Sequence, residues 1–457
     1  MHAPIPITRL DQARAAAGEC VHFGFCTAVC PTYILDGEEN DSPRGRFVLI
    51  KEMLASKAPP RRATVVHLDR CLSCLSCETS CGAGVNYRVL IDIAREYVES
   101  SRVRSLPDRL FRSGVAALLT SPRMLRGLRI LGKPLSGLVC ALPGRLGALG
   151  RLANAPGLAA FSPRGAPVLP APCSREAPSP QLRSVALLEG CAQSVLGAEI
   201  NCAARRVLAR AGVRVVESRG NFCCGAMKLH LGFREQAIKQ AARCVRHWGE
   251  MLAAGAIDAI AVTTSGCGSV IRHYDELFAD DAELGQAAAS VARAARDISV
   301  ILAELPLPLA NTNSGALVAY HDACSMKHGQ RITREPRALL RKMGYVVADI
   351  AEGHICCGSA GTYNILQPEM SARLGQRKAA NIEAIAPDVI AAGNLGCLIQ
   401  ISRFAEYPVA HTVQLVDWAS GGPAPRGLEG FVPRPLAQEA SAEVPAAEAN
   451  GDNSAFW

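Results

Sequence analysis

The sequence predicts an α+β multidomain chain: an α-helical N-terminal domain bearing two close-spaced cysteine runs, followed by two repeated α/β cysteine-rich (CCG) units. Three observations predict it. First, Cys71, Cys74, Cys77 and Cys81 are spaced C-x2-C-x2-C-x3-C, after a partial copy at Cys20, Cys26 and Cys30-Pro31. Second, the C-terminal half contains an internal repeat. Cys191 is followed after 31 residues by Cys223-Cys224-Gly225 and then by Cys267, and Cys324 after 31 residues by Cys356-Cys357-Gly358 and then by Cys397. Third, a Pro/Ala/Ser-rich stretch, FSPRGAPVLPAPCSREAPSP, separates the two halves as a linker would.

The elements follow in order. Residues 1–100 form the helical domain with both cysteine runs. Within it Asp41-Ser42-Pro43 has the form of an N-cap followed by proline at the first helical position, so a helix is expected over 47–54, and a second over 87–98. Residues 101–182 hold a basic segment that passes into the linker. The first CCG unit spans 183–310 and the second 311–420. Each outer cysteine closes a short apolar run: VALLEGC, AIAVTTSGC, LVAYHDAC and DVIAAGNLGC. These runs predict buried parallel strands with the cysteine at the strand end, and helices are expected between them over 203–211, 235–253, 336–343 and 370–385. Thiols gathered outside the carboxyl ends of strands are what an open α/β sheet presents. Residues 421–457, rich in Pro, Ala, Glu and Gly, predict a disordered tail.

Composition excludes several classes. The 457 residues include 19 cysteines, and the N-terminal stretch MHAPIPITRLDQARAAAGEC has no apolar core that would serve as a signal peptide. Thiolates serving metal are therefore expected rather than disulfides. No run of apolar residues is long enough to span a membrane. The net charge is +8, and residues 104–153 carry nine cations against Asp108 alone, a surplus equal to that of the whole chain. The apolar residues of this segment recur at helical intervals. Such a stretch suits a membrane surface, an acidic partner or a helix lying on its own protein. Nucleic acid is a poor fit, because the segment has almost no aromatics on which bases would stack.

The close spacing of the cysteine runs favours iron–sulfur clusters over zinc, whose ligands are usually split into distant pairs. In the complete form of this pattern each run gives three thiolates to its own cluster and the fourth to the other. Crossed ligation predicts a [4Fe–4S] cluster on Cys30, Cys71, Cys74 and Cys77. The other site has only Cys20, Cys26 and Cys81, because Phe23 stands where a cysteine belongs. Three readings follow for that site: a [3Fe–4S] cluster, a labile or absent [4Fe–4S] cluster, or His22 as a replacement ligand. In the repeats, Cys191, Cys223, Cys224 and Cys267 form one candidate cofactor-binding set, and Cys324, Cys356, Cys357 and Cys397 the other. Each set suits either a further iron–sulfur cluster or a metal-free redox dithiol. His230, His321, His328 and His354 accompany the repeats as candidate proton carriers or ordinary hydrogen-bonding residues. Cys202 and Cys244 fall on expected helices as small core residues, and Cys140 and Cys173 lie outside every pattern. No nucleotide-binding glycine loop, catalytic triad or flavin motif is present, so no residue is assigned a catalytic role.

The stretches CVHFGFCTAVCPTY, DSPRGRF, CLSCLSCETSCGAGVNY, YHDAC, CCGSAGTYNILQPEM and GNLGCLIQ together resemble the iron–sulfur subunit of bacterial glycolate oxidase, over residues 15–420. The resemblance implies a ferredoxin-type domain and an electron-transfer role beside FAD-containing flavoprotein subunits that oxidise glycolate to glyoxylate. It also implies a quinone or other membrane electron acceptor, and a cytoplasmic protein peripheral to the inner membrane. Related architectures give the alternatives: the iron–sulfur subunit of anaerobic glycerol-3-phosphate or lactate dehydrogenase, or a heterodisulfide-reductase-like CCG disulfide reductase. Against the last, both repeats lack the closing C-x2-C of the fullest CCG pattern, with Val270 and Gln400 in those places.

Overall fold

The computed structural model describes residues 7–56, 58–132, 142–153, 182–217, 223–309 and 315–431. Cys140, Cys173, most of the expected linker and residues 432–457 of the expected disordered tail lie outside the described residues.

The N-terminal domain is helical because its local signals agree with its packing. Ser42 accepts a hydrogen bond from the Gly45 backbone N–H (2.9 Å) and Pro43 opens the helix Pro43–Ala55. Asn86 caps the helix Tyr87–Ser100 in the same way. That helix buries Leu90, Ile91, Ile93, Ala94 and Val98 against Ile50, Leu54 and Leu68. Each aliphatic side chain so buried contributes about 1.5–3 kcal/mol. The loops between these helices carry the cysteines, and Cys71 and Cys77 are part of the same core.

The basic segment folds as helices Leu106–Thr120, Pro122–Gly132 and Gly144–Ala153, which lie on the protein. Val115, Leu119 and Leu125 join the main core. Two of the nine cations turn inward: Arg104 pairs with Asp69 (2.6 Å) and Glu99 (2.6 Å), and Arg112 approaches the same two carboxylates. Arg145 reaches Asp108 (2.5 Å). Part of the charge surplus is thus internal fastening, a use that a one-dimensional charge count does not separate from a solvent-facing patch.

Each repeat is a four-stranded parallel sheet. The first contains β1 (Ser184–Leu188), β2 (Arg214–Val216), β3 (Ala259–Val262) and β4 (Ala295–Asp297), in the order β2-β1-β3-β4. The second contains β5 (Leu317–His321), β6 (Val346–Asp349), β7 (Val389–Ala392) and β8 (Val409–His411), in the order β6-β5-β7-β8. The registers correspond: Leu188 pairs with Val262, and His321 with Ala392. The central strands are almost wholly buried and mainly apolar, as a parallel sheet covered on both faces requires, with Ser184 and His321 as the polar exceptions at their ends. The expected helices are present as Ala198–Arg210, Arg234–Ala253, Glu335–Lys342 and Pro368–Glu383. The four flanking strands have three or four residues each and little apolar alternation, so the sequence does not announce them.

Two expectations need correction. Cys267, Cys324 and Cys397 are not at strand ends but in the first turns of the short helices Ser265–Ile271, Cys324–Lys327 and Leu395–Ile401. The chain also stays packed beyond residue 420: Leu428 is buried, and the Phe431 ring meets Trp418 edge-on at 6.2 Å.

Candidate metal centres

Crossing of the two N-terminal runs brings Cys30 to Cys71, Cys74 and Cys77. These four line one small hollow with Arg46 and Tyr87. All four cysteines are buried. The thiols of Cys74 and Cys77 are pushed well above the usual range, first by burial and then by neighbouring sulfurs, Cys324 for Cys74 and Cys74 for Cys77. Sulfurs packed in this way cannot ionise together unless a cation neutralises them, so the donor set fits a metal cluster. The surroundings supply partial compensation. Arg46, 1 % exposed, donates to Cys30 Sγ (3.9 Å), His67 O (2.8 Å) and Thr32 Oγ1 (3.1 Å). Tyr87 Oη donates to Cys71 Sγ (3.8 Å), and the Ser73 N–H to the same sulfur (3.4 Å).

The second N-terminal site lies nearer the surface. Cys20, Cys26 and Cys81 are each partly exposed, and Cys26 is pushed up by burial and by the charges of Cys20 and Cys81. Phe23 does not fill the missing corner: it is 67 % exposed and sits beside Phe25 at 6.1 Å. His22, in a left-handed backbone conformation, also faces solvent.

In each repeat the three cysteine positions converge at the carboxyl edge between the two central strands, where the strand order reverses. Cys191 and Cys223 Sγ stand 3.5 Å apart, and Cys224 hydrogen-bonds Cys267. In the second repeat Cys324 and Cys356 Sγ are 3.9 Å apart, and Cys357 hydrogen-bonds Cys397. The CCG glycines account for the sharp turn. Gly225 and Gly358 have φ of +85° and +86°, and a Cβ there would stand 2.7 Å from Ala237 O and 2.6 Å from Ser371 O. Only glycine meets both demands. All eight repeat cysteines, together with Cys71, line a single cavity of about 690 Å³ between the sheets and the N-terminal domain.

The two sets are not equivalent. Hydrogen bonds from Cys191 and Cys224 draw the Cys223 thiol down to about 4, and Lys228 adds to the effect, whereas Cys191 is pushed up. In the second set Cys324 is pushed up by its bond with Cys356 and by burial. Lys378, 1 % exposed, faces Cys356 and Cys357 while its Nζ donates to Glu352 O (2.8 Å). His321 is 1 % exposed, and burial followed by the Lys378 charge lowers its pKa to about 3, which keeps the imidazole neutral. One ring nitrogen of His321 and the sulfurs of Cys357 and Cys397 lie within 4.8 Å of one another.

Two of the other histidines have hydrogen-bond partners. His328 Nδ1 meets Thr79 Oγ1 at 2.7 Å, and His230 Nδ1 meets Asp92 Oδ1 at 3.2 Å. His354 is partly buried, and that burial lowers its pKa. Cys244 is buried and bonds Cys223 O (3.5 Å), and Cys202 is half-buried on its helix. Arg46 and Lys378 escape the sequence reading because a buried cation resembles a surface one in one dimension. For Arg46 the stretch DSPRGRF was the available signal.

Models of known families match the same regions: a 4Fe-4S dicluster domain over residues 19–85, and a cysteine-rich domain over 185–272 and again over 318–402. The glycolate oxidase iron-sulfur subunit of Escherichia coli is 36% identical over 414 residues, covering 90% of this chain and 96% of that protein. The probable glycolate oxidase iron-sulfur subunit of Bacillus subtilis is 30% identical over 403 residues, covering 86% and 89%. Lactate utilization protein A of Shouchella clausii is 27% identical over 221 residues, covering 46% of this chain and 89% of its own. With its dicluster domain, its paired cysteine-rich repeats and full-length similarity at this level, the chain belongs to the family of glycolate oxidase iron–sulfur subunits.

Proposed function

We propose that the chain is the electron-transfer subunit of a glycolate-oxidising complex, in which FAD-containing subunits convert glycolate to glyoxylate and a quinone-type acceptor receives the electrons. One observation carries this reading. The thiol sites form a continuous series, from Cys20, Cys26 and Cys81 near the surface, through buried Cys30, Cys71, Cys74 and Cys77, to the second repeat, where Cys324 and Cys356 are within electrostatic reach of Cys74. Cys30, Cys71, Cys74 and Cys77 would hold a [4Fe–4S] cluster; Cys20, Cys26 and Cys81 a [3Fe–4S] or labile [4Fe–4S] cluster; and the repeat cysteines a further centre. Such clusters supply one-electron carriage when bound. The protein excludes water from the inner site with Leu72, Ile355 and Tyr363 and places the Arg46 cation beside its thiolates.

Peripheral attachment to a membrane fits the same role. Among the described residues no helix is long and apolar enough to cross a membrane. Leu106, Leu110 and Ile130 are nevertheless 69–75 % exposed, on the same pair of helices as exposed Arg123 and Arg126.

The test is anaerobic. Purified chain is mixed with glycolate, with and without the flavoprotein subunits, and cluster absorbance is followed. Bleaching is expected only when both are present. Glycolate oxidation by the flavin-free chain alone would refute the assignment, and bleaching by lactate or glycerol 3-phosphate but not by glycolate would move the protein to one of those complexes.

A further inference from the structure

The second repeat lacks the closing cysteine of the fullest pattern, and Gln400 in its place is occupied elsewhere, donating to Ser371 O and Oγ (both 3.0 Å). His321 lies beside the thiols of Cys357 and Cys397. It is the last residue of β5, three residues before Cys324, so the strand that delivers the cysteine also delivers the imidazole. Its ring is 1 % exposed, and neither Nδ1 nor Nε2 has a hydrogen-bond partner. A buried imidazole with both nitrogens unpaired forfeits its hydration without recompense unless something else engages it.

The neighbouring atoms identify what engages it. The His321 nitrogen, Cys357 Sγ and Cys397 Sγ are all within 4.8 Å of one another, the one such trio of His, Cys, Asp or Glu donors among the described residues. Donors sharing one tetrahedral metal ion at ~2.0–2.3 Å sit roughly 3.5–4 Å apart, so modest closure on a metal completes the site. A neutral imidazole with two thiolates is a soft donor set, suited to zinc or to an iron of a sulfur cluster. Asn394 Nδ2 donates to Cys397 Sγ (3.4 Å), the kind of outer hydrogen bond that orients a ligating sulfur. The first repeat has no counterpart: Leu188 occupies the position of His321, with the same register on its neighbouring strand.

We propose that His321 is a direct metal ligand, acting with Cys357 and Cys397 in place of the missing fifth cysteine, and that the second repeat therefore holds a mixed imidazole–thiolate centre that the first repeat cannot form. The proposal concerns the donor set of one centre and stands whatever substrate feeds the complex.

The test uses full chain purified anaerobically after growth with isotope-labelled histidine. Iron, sulfide and zinc are counted per chain. Pulsed EPR then reads nitrogen coupling if the centre holds iron, and zinc-edge X-ray absorption reads imidazole scattering if it holds zinc. A directly bound imidazole is expected by whichever method applies. His321→Leu, which copies the first repeat, should lower the metal of this centre at least ~100-fold, the upper end of the effect of an outer-shell change. The signal of the four-thiol N-terminal site should remain. His321→Cys should keep the metal and lose the nitrogen signature. If His321→Leu fails to fold, as shown by loss of the N-terminal signal, the wild-type and His321→Cys spectra decide. A wild-type centre with sulfur donors only, or a folded His321→Leu chain with its metal unchanged, overturns the proposal.

Discussion

The two repeats share strand order, register, glycine turn and the first cysteine spacing, yet differ at two positions beside their thiols. Where the second repeat has His321 at the strand end, the first has Leu188. Where the second has Lys378 on the covering helix, seven residues beyond the residue that abuts the CCG glycine, the first has Cys244, seven residues beyond Ala237. The second set therefore gains a neutral nitrogen donor and a buried cation beside its sulfurs. The first keeps an apolar wall, and its partly exposed Cys223 carries the lowered thiol. A duplicated scaffold fixes where thiols meet, and a few neighbouring side chains decide what those thiols can hold.

The repeats also grip the N-terminal domain differently. The first uses ions: Arg88 meets Glu276 at 2.7 Å, His230 meets Asp92, and Arg234 approaches Glu96 (3.8 Å). The second has one surface pair, Arg373 with Asp36, but mainly buries Leu72 and Cys74 against Ile355, Cys356, Tyr363, Met370 and Leu374, and the Tyr363 hydroxyl donates to Arg70 O (3.1 Å). Apolar burial excludes water and keeps its strength in salt, whereas ion pairs at a half-exposed seam weaken with ionic strength. The dry contact is the one that joins thiol site to thiol site.

The largest expected effect breaks that contact. Cys74→Ser removes a sulfur from the four-thiol site at its boundary with the second repeat. It should abolish that site's EPR signal and lower glycolate-driven acceptor reduction at least ~100-fold, the upper end of what losing even an outer-shell partner does. Cys191→Ser, on the first repeat, should leave the same signal intact, and its loss would show that the two are not separate. Next in size, Gly225→Ala and Gly358→Ala each combine left-handed strain with a carbonyl inside contact distance. Each should cost about 2–4 kcal/mol in denaturant unfolding, by similar amounts, because the two turns are alike. Unequal losses would mean that the turns are not equivalent. The smallest effect concerns the ionic seam. Hydrogen bonds from His273 and Arg88 hold the Glu276 carboxyl down at about 2, against 4.5 ordinarily. A folded-state value below the unfolded one contributes stability above pH 4.5 that is lost as pH falls through 2. Half-exposure and solvent screening keep the contribution within roughly 0.2–1 kcal/mol. Hydrogen-exchange protection of the helix Tyr274–Leu277, taken relative to the intrinsic rate at each pH, should therefore fall with acid or salt, while Tyr363–Leu366 stays protected, and Glu276→Gln should remove the pH response.

The helical N-terminal domain and the paired α/β units were legible because each rests on a local signal. Ser42-Pro43 starts a helix, apolar runs mark buried strands, and identical 31-residue gaps declare the repeat. The cysteine positions were legible in the same way, through close spacing over 71–81 and matched gaps in the repeats, and the structure brings all eight repeat cysteines to one cavity. The short flanking strands were not, nor was the helical placement of Cys267 and Cys397, because three-residue strands and first helical turns leave no periodicity. The basic segment shows the limit most clearly: Arg104 and Arg123 look alike in the sequence, yet one is buried against Asp69 and Glu99 and the other faces solvent.

By itself, then, the sequence determined which thiols exist, how they group, and that the second half is a duplication, because those properties depend on spacing along the chain. Only the tertiary structure decided that Cys74 adjoins Cys324 and Cys356, that Arg46 and Lys378 are the cations beside buried sulfurs, and that His321 meets Cys357 and Cys397. Those groupings join residues up to hundreds of positions apart. Burial then fixes their chemistry, because removing water is what turns an ordinary thiol, lysine or imidazole into a strongly perturbed one.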